Sequence, residues 1–232
     1  MCGRFSFAEA RDKVVEKLPD IYVPDPLVLS YNIAPSQNAY IITNEAPTKL
    51  QSYKWGLLPS WSSNMNYTAN LINARAEGIA TKPSFSMPIR HRRCLVLADS
   101  YYEWRTEFRN KIPYRFVPHN ADLLLLAGLW DSWIASDSKT IVNSFCIITV
   151  AASNDLQKIH HRMPAILMSE EARKQWLTTQ HLNDALSLLQ PAPSDYLKVY
   201  TVSEKLNSPS NNYIELQNEV LPPKTLFDDF LL

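Results

Sequence analysis

The sequence predicts an α+β fold: a single domain, residues 1–232, built on a mostly antiparallel, barrel-like β-sheet with flanking helices. Three observations favour this fold. The apolar segments are mostly short and bounded by Pro, Asn, Asp or Ser, as buried strands are. Only three stretches have the spacing and the end signals of helices. The chain of 232 residues is long enough to bury one large core, and it contains no repeats, low-complexity tracts or long linkers.

Short apolar or β-branched runs mark the predicted strands. They lie at residues 39–43, 94–98, 123–129, 145–150 and 197–202. Beyond about residue 205 the chain becomes acidic and carries prolines. We therefore expect the segment 205–232 to wrap around the domain or to be loosely ordered.

Three helices are predicted. The first covers 8–18, an Ala/Glu/Lys-rich stretch that ends before Pro19 because proline cannot continue a helix. The second covers 169–178, where Ser169 can cap the first turn and two glutamates complement the helix dipole. The third is expected over 181–189.

The composition is that of an ordinary globular protein, with 46% hydrophobic and 20% charged residues. No apolar run is long enough to span a bilayer and no signal segment opens the chain, so we expect a soluble, cytoplasmic protein without a membrane partner. The three cysteines, Cys2, Cys94 and Cys146, are odd in number and widely spaced. This spacing argues against a disulfide framework and against a CxxC-type zinc site. We expect no metal and no other cofactor.

Lys+Arg and Asp+Glu balance at 23 each, so the net charge gives no reason to expect a polyanionic partner. The charges are unevenly distributed, however. Between residues 75 and 115, nine Lys or Arg residues stand against four Asp or Glu residues, a local net charge of +5. We interpret this segment as a local basic surface that can face a nucleic acid.

Cys2 is the first residue that indicates a chemistry. Initiator methionine is removed when the next side chain is small, and removal would give Cys2 a free α-amine beside its thiol. An α-amine has a pKa of about 7.7–8.0, against roughly 10.4 for lysine, so it forms Schiff bases more readily at neutral pH. The thiol can then close on the imine carbon to give a thiazolidine, which makes an N-terminal cysteine selective for aldehydes. The alternative interpretation is that Cys2 has no chemical role and is simply a small residue near a frayed terminus.

Two polar motifs offer groups that could assist such a reaction. The Asn-Ala-Arg motif at 73–75 provides an amide that can hydrogen-bond an amine or a sugar oxygen, with an arginine on the same side of a strand. Its alternative is a polar strand edge. In YYEWR, Glu103 is flanked by aromatic residues that can desolvate it, raise its pKa and make it a general acid or base. Its alternative is a salt-bridged surface glutamate.

Two further segments are less specific. HHRMP at 160–164 places two imidazoles and a guanidinium before a proline, which is either a phosphate or proton-transfer cluster or a satisfied polar loop. WGLLPSW at 55–61 places two tryptophans on one short segment. They can stack on nucleobases or simply belong to the core.

These motifs together resemble one known family. They are MCGRF at the N-terminus, YNIAPSQ at 31–37, WGLLPSW at 55–61, INARAEG at 72–78, RRCLVLADSYYEW at 92–104, AGLWDSW at 127–133 and HHRMP at 160–164. In this order they resemble the SOS response-associated peptidase (SRAP) family, whose members are abasic-site processing proteins that form DNA–protein crosslinks. The resemblance extends from residue 2 to about residue 168.

The resemblance implies a covalent reaction with abasic sites in single-stranded DNA during the DNA damage response. After Met1 is removed, Cys2 is the crosslinking nucleophile and forms a thiazolidine with the ring-opened sugar. Asn73 positions Cys2 and the sugar, and Glu103 is the acid/base. His160, the match in the family's H-x-R-M-P motif, opens the sugar ring and reverses the crosslink. The resemblance also implies lyase-type Schiff-base chemistry and autoproteolytic removal of Met1 with help from Glu103.

The same resemblance implies a set of DNA-binding residues. Arg4, Arg75 and Arg162 match positions that hold phosphates, whereas Pro35 and Trp104 fall in motifs that line the DNA cleft. No small-molecule cofactor is implied, and we expect a monomer.

Two other functions remain open at this stage. The first is an N-terminal-nucleophile thiol peptidase or amidase that uses Cys2 with His160 and Asn73. The second is a non-catalytic reader of modified or single-stranded DNA that binds through Arg75, Arg162 and Trp104. A hydrolase would turn over an amide, whereas a non-covalent reader would release DNA under denaturing conditions.

Overall fold

The structure, a computed structural model, describes residues 2–63, 71–107, 110–120, 122–135 and 139–221. The strands are β1 Arg4–Phe7, β2 Ser30–Ile33, β3 Asn38–Thr43, β4 Ala46–Trp55, β5 Asn73–Arg75, β6 Arg93–Ala98, β7 Ser100–Glu107, β8 Asn110–Pro118, β9 Leu124–Ile134, β10 Ile141–Ala151, β11 Arg162–Pro164 and β12 Leu197–Thr201. The helices are α1 Arg11–Lys17, α2 Pro83–Ser86, α3 Pro88–His91, α4 Glu170–Thr178 and α5 Leu182–Ser187. The predicted α+β class is confirmed.

Five strands close into a barrel in the order β10–β4–β3–β6–β9, with β9 pairing back to β10. Every pair in the ring is antiparallel except β10 with β4. Two three-residue strands extend the end of β10 on its two edges: β5 runs parallel to it, with Arg75 opposite Thr149, and β11 runs antiparallel, with Pro164 opposite the same Thr149. The motifs NAR and RMP, distant in sequence, therefore lie on either side of one strand.

The other sheet has five antiparallel strands in the order β12–β8–β7–β1–β2. Strand β1 lies between β7 and β2, with Phe5 opposite Tyr101 on one side and Ile33 on the other. Because both edges of β1 are paired, the beginning of the chain lies in the interior of a sheet. Pairing of Arg4 with Tyr102 brings Cys2 alongside the YYEWR motif.

The two tryptophans of WGLLPSW have different environments. Trp55 is fully buried, contacts Phe5 edge-on at 4.9 Å between ring centroids, and donates from Nε1 to Ile72 O over 2.9 Å. Trp61 is 58% exposed. Between them, Gly56 has a φ of 124°, which glycine adopts without strain. The core interpretation is therefore right for Trp55 alone.

The predicted helices are present, although the first is shorter than expected. Helix α1 covers only Arg11–Lys17 of the predicted 8–18. Helix α4 begins as predicted, because Ser169 Oγ accepts from Ala172 N over 3.1 Å. Helix α5 lies within the predicted 181–189. No helix formed by the described residues is long and apolar enough to cross a membrane.

The basic residues of segment 75–115 have different environments. Arg93 is buried, and its guanidinium donates to the carbonyls that end α3 and α4, those of Ile89, Arg90, Trp176 and Thr179. Arg92, Arg105 and Arg115 form ion pairs with Asp131, Glu107 and Asp99. Arg109 lies outside the described residues. The local basic surface expected for this segment stays a prediction, and the four buried or ion-paired arginines contribute least to it.

Residues Ser203–Val220, which we call the C-terminal strap, run back across the five-stranded sheet. Thr201 and Val220 are hydrogen-bonded to each other, and Gln217 reaches Ser6 Oγ over 3.1 Å. Two short 3-10 turns, Glu204–Asn207 and Ile214–Gln217, bury Leu206 and Leu216 against the sheet. Residues 205–221 thus lie along the sheet, and residues 222–232 lie outside the described part of the chain. For the segment 205–232 as a whole, wrapping or loose order stays a prediction.

Candidate active site

Cys2 lies at the entrance of strand β1 and is fully buried. The interpretation of a frayed terminus is therefore wrong, because the pairing of β1 with two neighbours orders the residue before it. Burial raises the pKa of the Cys2 thiol far above its ordinary value, and the nearby Glu103 carboxylate adds to the effect. The thiol is consequently neutral in this environment. Met1 lies outside the described residues.

Asn73, the first residue of β5, holds the main chain of Cys2. Its Nδ2 donates to Cys2 O over 2.7 Å. Its Oδ1 is buried and accepts no hydrogen bond from the described residues. Because β5 is fixed by its pairing with β10, the amide keeps one orientation relative to the cysteine. Asn73 can thus orient the Cys2 backbone with its nitrogen and accept a hydrogen bond from a bound hydroxyl or amine with its oxygen.

Glu103 projects from β7, two residues beyond the Tyr101 that pairs with β1. It is only 3% exposed. This burial raises the pKa of the Glu103 carboxyl to about 7, although the positive charge of the amino terminus acts in the opposite direction. A carboxyl with this pKa exchanges protons at neutral pH, as a general acid or base must. The alternative of a salt-bridged surface glutamate is excluded by its burial.

His160 faces Glu103 from the segment that leads into β11, with 3.6 Å between Nδ1 and Glu103 Oε1. His160 Nδ1 lies 3.0 Å from the main-chain nitrogen of Arg162 and 3.1 Å from its carbonyl oxygen, so it accepts from the N–H in one tautomer and donates to the carbonyl in the other. Burial lowers the pKa of His160, which keeps the imidazole uncharged at neutral pH. A carboxyl whose pKa is raised and an imidazole whose pKa is lowered therefore meet in one site.

Glu103 and His160 line a cleft of about 500 Å³. The other residues that line it are Arg4, Trp104, Thr106, Lys111 and Asn207. Arg4 is its buried cation. One of its nitrogens donates to Asn32 Oδ1 over 2.6 Å and to Leu206 O over 2.8 Å, both uncharged acceptors. Within the described chain no carboxylate forms an ion pair with Arg4. Its positive charge therefore remains available to an anionic ligand.

Trp104 forms the aromatic wall of the cleft. The guanidinium carbon of Arg4 lies 5.7 Å from the centre of its ring, and the indole Nε1 donates to Asn207 Oδ1 over 2.7 Å. The indole is thus held at its face by a cation and at its edge by an amide. Such a fixed aromatic surface is suited to stacking on a base or packing against a sugar.

The remaining predicted DNA-binding residues lie elsewhere. Arg75 is exposed at the end of β5, and Pro35 is half-buried in the turn closed by Gln37 N and Ala34 O. Arg162 is buried, and its guanidinium makes a two-point ion pair with Glu77, at 2.6 and 3.0 Å, and also donates to Thr149 O. None of these three is among the residues that line the cleft. Arg162 is therefore already matched with an anion of the protein itself.

Three residues of the cleft were missed by the sequence interpretation: Thr106, Lys111 and Asn207. Lys111 was counted within the basic segment, but nothing in its local sequence distinguished it. Asn207 belongs to the strap, which was predicted only as a wrapping or loosely ordered segment. In the described part of the chain, no group of three or more His, Cys, Asp or Glu residues forms a metal-binding cluster.

Comparison with known proteins agrees with the motifs. The profile of the family described as SOS response associated peptidase (SRAP) matches residues 1–209. The abasic site processing protein YoqW of Bacillus subtilis (strain 168) is 39% identical over 223 residues, covering 93% of this chain and 98% of YoqW. The abasic site processing protein HMCES of Pongo abelii is 30% identical over 262 residues, covering 91% of this chain and 74% of HMCES.

The fold is also shared with a solved structure. A crystal structure of a protein from Bacteroides thetaiotaomicron matches with a TM-score of 0.84 and 28% sequence identity, over 95% of this chain and 100% of the other. The family profile spans most of the chain, and the relatives match along nearly all of it. The chain therefore belongs to the SOS response associated peptidase (SRAP) family.

Proposed function

We propose that this protein captures abasic sites in single-stranded DNA by forming a thiazolidine with Cys2 after Met1 has been removed. The observation that carries the proposal is the burial of Cys2 beside Asn73 and Glu103, at a cleft that also holds His160. The names of the relatives YoqW and HMCES, both abasic site processing proteins, support the choice of substrate.

In the proposed reaction, the α-nitrogen of Cys2 is the first atom to attack the sugar. While Met1 is attached, the Cys2 nitrogen is an amide and cannot attack. Once it is an amine, it adds to the aldehyde carbon of the ring-opened sugar, and the resulting carbinolamine loses water to form an imine. The Cys2 thiol then adds to the imine carbon, and its proton moves to the nitrogen, which closes a five-membered ring. The balance is one aminothiol plus one aldehyde giving one thiazolidine and one water.

Glu103 and His160 divide the proton transfers. Loss of water from the carbinolamine requires a proton donor for the departing hydroxyl, and a carboxyl with a pKa of about 7 is half protonated at neutral pH. The neutral His160 can accept or donate a proton as the sugar hemiacetal opens to the aldehyde. Asn73 Oδ1 can accept a hydrogen bond from the carbinolamine or the amine.

The cleft favours a single strand. Cys2 and Glu103 are buried, so the reacting sugar must leave the line of the backbone and enter the protein. In a duplex the paired and stacked flanking nucleotides resist such a displacement, whereas a flexible single strand can bend into the cleft without breaking base pairs. Arg4 offers its charge to a phosphate at the cleft, and Trp104 offers a surface for a neighbouring base.

The peptidase alternative is less compatible with the site. A thiol peptidase needs a thiolate, which is obtained where neighbouring cations or helix ends lower the pKa of the cysteine. Here burial and the Glu103 carboxylate raise the pKa of the Cys2 thiol. A mechanism in which the amine attacks first and the neutral thiol adds later fits these electrostatics better.

The test is an intact-mass measurement before and after incubation with an oligonucleotide that carries one abasic site. We expect the protein to have lost Met1, and the adduct to weigh the sum of protein and oligonucleotide less one water. Cys2→Ala should abolish the stable adduct, while Cys146→Ala, a change at another buried cysteine, should retain it. An equally stable adduct from Cys2→Ala would refute the proposed mechanism.

A further inference from the structure

The strap is bound to the cleft by one buried asparagine. Asn32 on β2 is 1% exposed, and its Nδ2 donates to the carbonyls of three strap residues, Leu206, Ser208 and Asn211, at 3.3, 3.1 and 2.7 Å. Its Oδ1 accepts from Arg4. The backbone of the strap is thereby connected through one side chain to the buried cation of the cleft.

The strap also packs against the aromatic wall. Leu206 and Leu216 are buried in a small apolar cluster with Tyr102 and Val202, and Trp104 packs against this cluster. Directly after Leu206, Asn207 places its Oδ1 2.7 Å from the Trp104 indole nitrogen and lines the cleft. Asn207 is exposed, and its amide N–H groups make no hydrogen bond within the described part of the chain.

These contacts give the two ends of the Asn207 side chain separate tasks. The oxygen fixes the plane of the Trp104 ring, since an indole N–H donates in only one direction. The nitrogen remains at the surface as a donor, in the cleft that Arg4 and Lys111 also line and where an anionic strand would run. An amide donor beside two cations is suited to a phosphate or sugar oxygen, because both accept hydrogen bonds.

We propose that Asn207 of the C-terminal strap is a DNA-binding residue of the cleft, which positions Trp104 through Oδ1 and donates through Nδ2 to the phosphate or sugar next to the abasic site. This inference rests on the proposed function. It adds to the site a residue from a segment beyond all the motifs that carried the family resemblance. Asn207 takes no part in bond formation and acts on strand binding alone.

The experiment measures crosslinking rate against the concentration of abasic single-stranded DNA, together with binding of the undamaged strand by fluorescence anisotropy. Four variants are compared with the wild type: Asn207→Ala, Asn207→Asp, Trp104→Phe and the double variant Asn207→Ala with Trp104→Phe. Phenylalanine lacks the indole N–H, and aspartate keeps an acceptor for it while removing the donor. Asn218→Ala is the matched control, since Asn218 is also exposed in the strap and is not among the residues lining the cleft.

For Asn207→Ala we expect the half-saturating DNA concentration to rise about five- to tenfold, the scale of one or two hydrogen bonds, with the maximal rate within about twofold of wild type. In the Trp104→Phe background, Asn207→Ala should raise the half-saturating DNA concentration only about threefold, because the contact with the indole is already lost. Asn207→Asp should weaken binding more than Asn207→Ala at low salt, and the excess should shrink at high salt.

The proposal is overturned if Asn207→Ala binds DNA as tightly as Asn218→Ala. The positioning role is overturned if Asn207→Ala has the same effect with and without the indole, and the donor role if Asn207→Asp binds no more weakly than Asn207→Ala. A wild-type protein that formed no adduct would refute the proposed function instead, and binding of the undamaged strand would still decide the role of Asn207.

Discussion

Replacing Glu103 by glutamine should make the protein more stable at alkaline pH while impairing its reaction. Burial raises the pKa of Glu103 from 4.5 to about 7, so the folded protein holds this proton more tightly than the unfolded chain does. This proton therefore adds to the free energy of unfolding. Its contribution is fully present below pH 4.5 and is lost as the pH rises through about 7. Above that range, ionising a carboxyl that is 3% exposed penalises the folded state alone.

The size of the penalty follows from the shift. At about 1.4 kcal/mol per pKa unit, a rise from 4.5 to about 7 corresponds to about 3.5 kcal/mol. Glu103→Gln cannot ionise and escapes this loss. For a chain of this length about 1 kcal/mol changes Tm by roughly 2–4 °C, so the variant should melt roughly 7–14 °C above wild type at pH 8.5. Near pH 4.5 this advantage should disappear.

Thermal unfolding of both proteins between pH 4.5 and pH 8.5 provides the measurement. Glu16→Gln, a change at an exposed glutamate of α1, is the control and should show no such dependence. A difference in Tm between Glu103→Gln and wild type that stays constant across this range would refute the reasoning, since a change in packing alone does not depend on pH. The same variant should form adduct about 10²-fold more slowly, the scale of general acid/base catalysis.

Three further changes test other parts of the site. His160→Gln should slow capture yet prolong the life of the adduct, and a chase with excess abasic DNA that released the strand faster than wild type would contradict this role. Arg75→Ala should weaken binding in every sequence context and reduce the salt slope by about one, whereas a loss confined to one flanking base would argue for base contact. Glu77→Gln should tighten single-strand binding about two- to fivefold by freeing Arg162, a modest gain because Glu77 is 60% exposed. Unchanged binding in a titration would show that Arg162 does not meet DNA.

Local signals predicted the elements that depend on local chemistry. Helix α4 begins at Ser169 because a hydroxyl caps a helix wherever the chain runs. The apolar runs predicted four of the five barrel strands, β3, β6, β9 and β10, but only the edge strand β12 of the other sheet. The two short helices α2 and α3 were not predicted. Each begins with a proline, at Pro83 and Pro88, and neither is longer than four residues, too short for a helical period to appear.

What local signals could not predict is which distant groups neutralise each other. Arg92 pairs with Asp131, 39 positions along the chain, and Arg162 pairs with Glu77, 85 positions before it. Likewise, the four candidate catalytic residues were chosen by motif, but the separation of Glu103 and His160 depends on how β7 and the segment before β11 meet. The role of the strap depends on Asn32, a residue 174 positions before Leu206.

The burial of Cys2 bears on how this residue would act as the proposed N-terminal nucleophile. A terminal residue is ordinarily mobile, and ordering it in the transition state would cost about 1–2 kcal/mol of backbone entropy. Here Cys2 is already ordered in the folded protein. Strand β1 is paired with β7 and β2, and Asn73 Nδ2 donates a hydrogen bond to Cys2 O. The backbone entropy is therefore lost on folding and not in the reaction. The same burial raises the pKa of the thiol and of Glu103, so it disfavours a thiolate and supplies a proton carrier. In the proposed mechanism, this burial favours a reaction in which the amine attacks first, Glu103 donates the proton for loss of water and the thiol closes the ring.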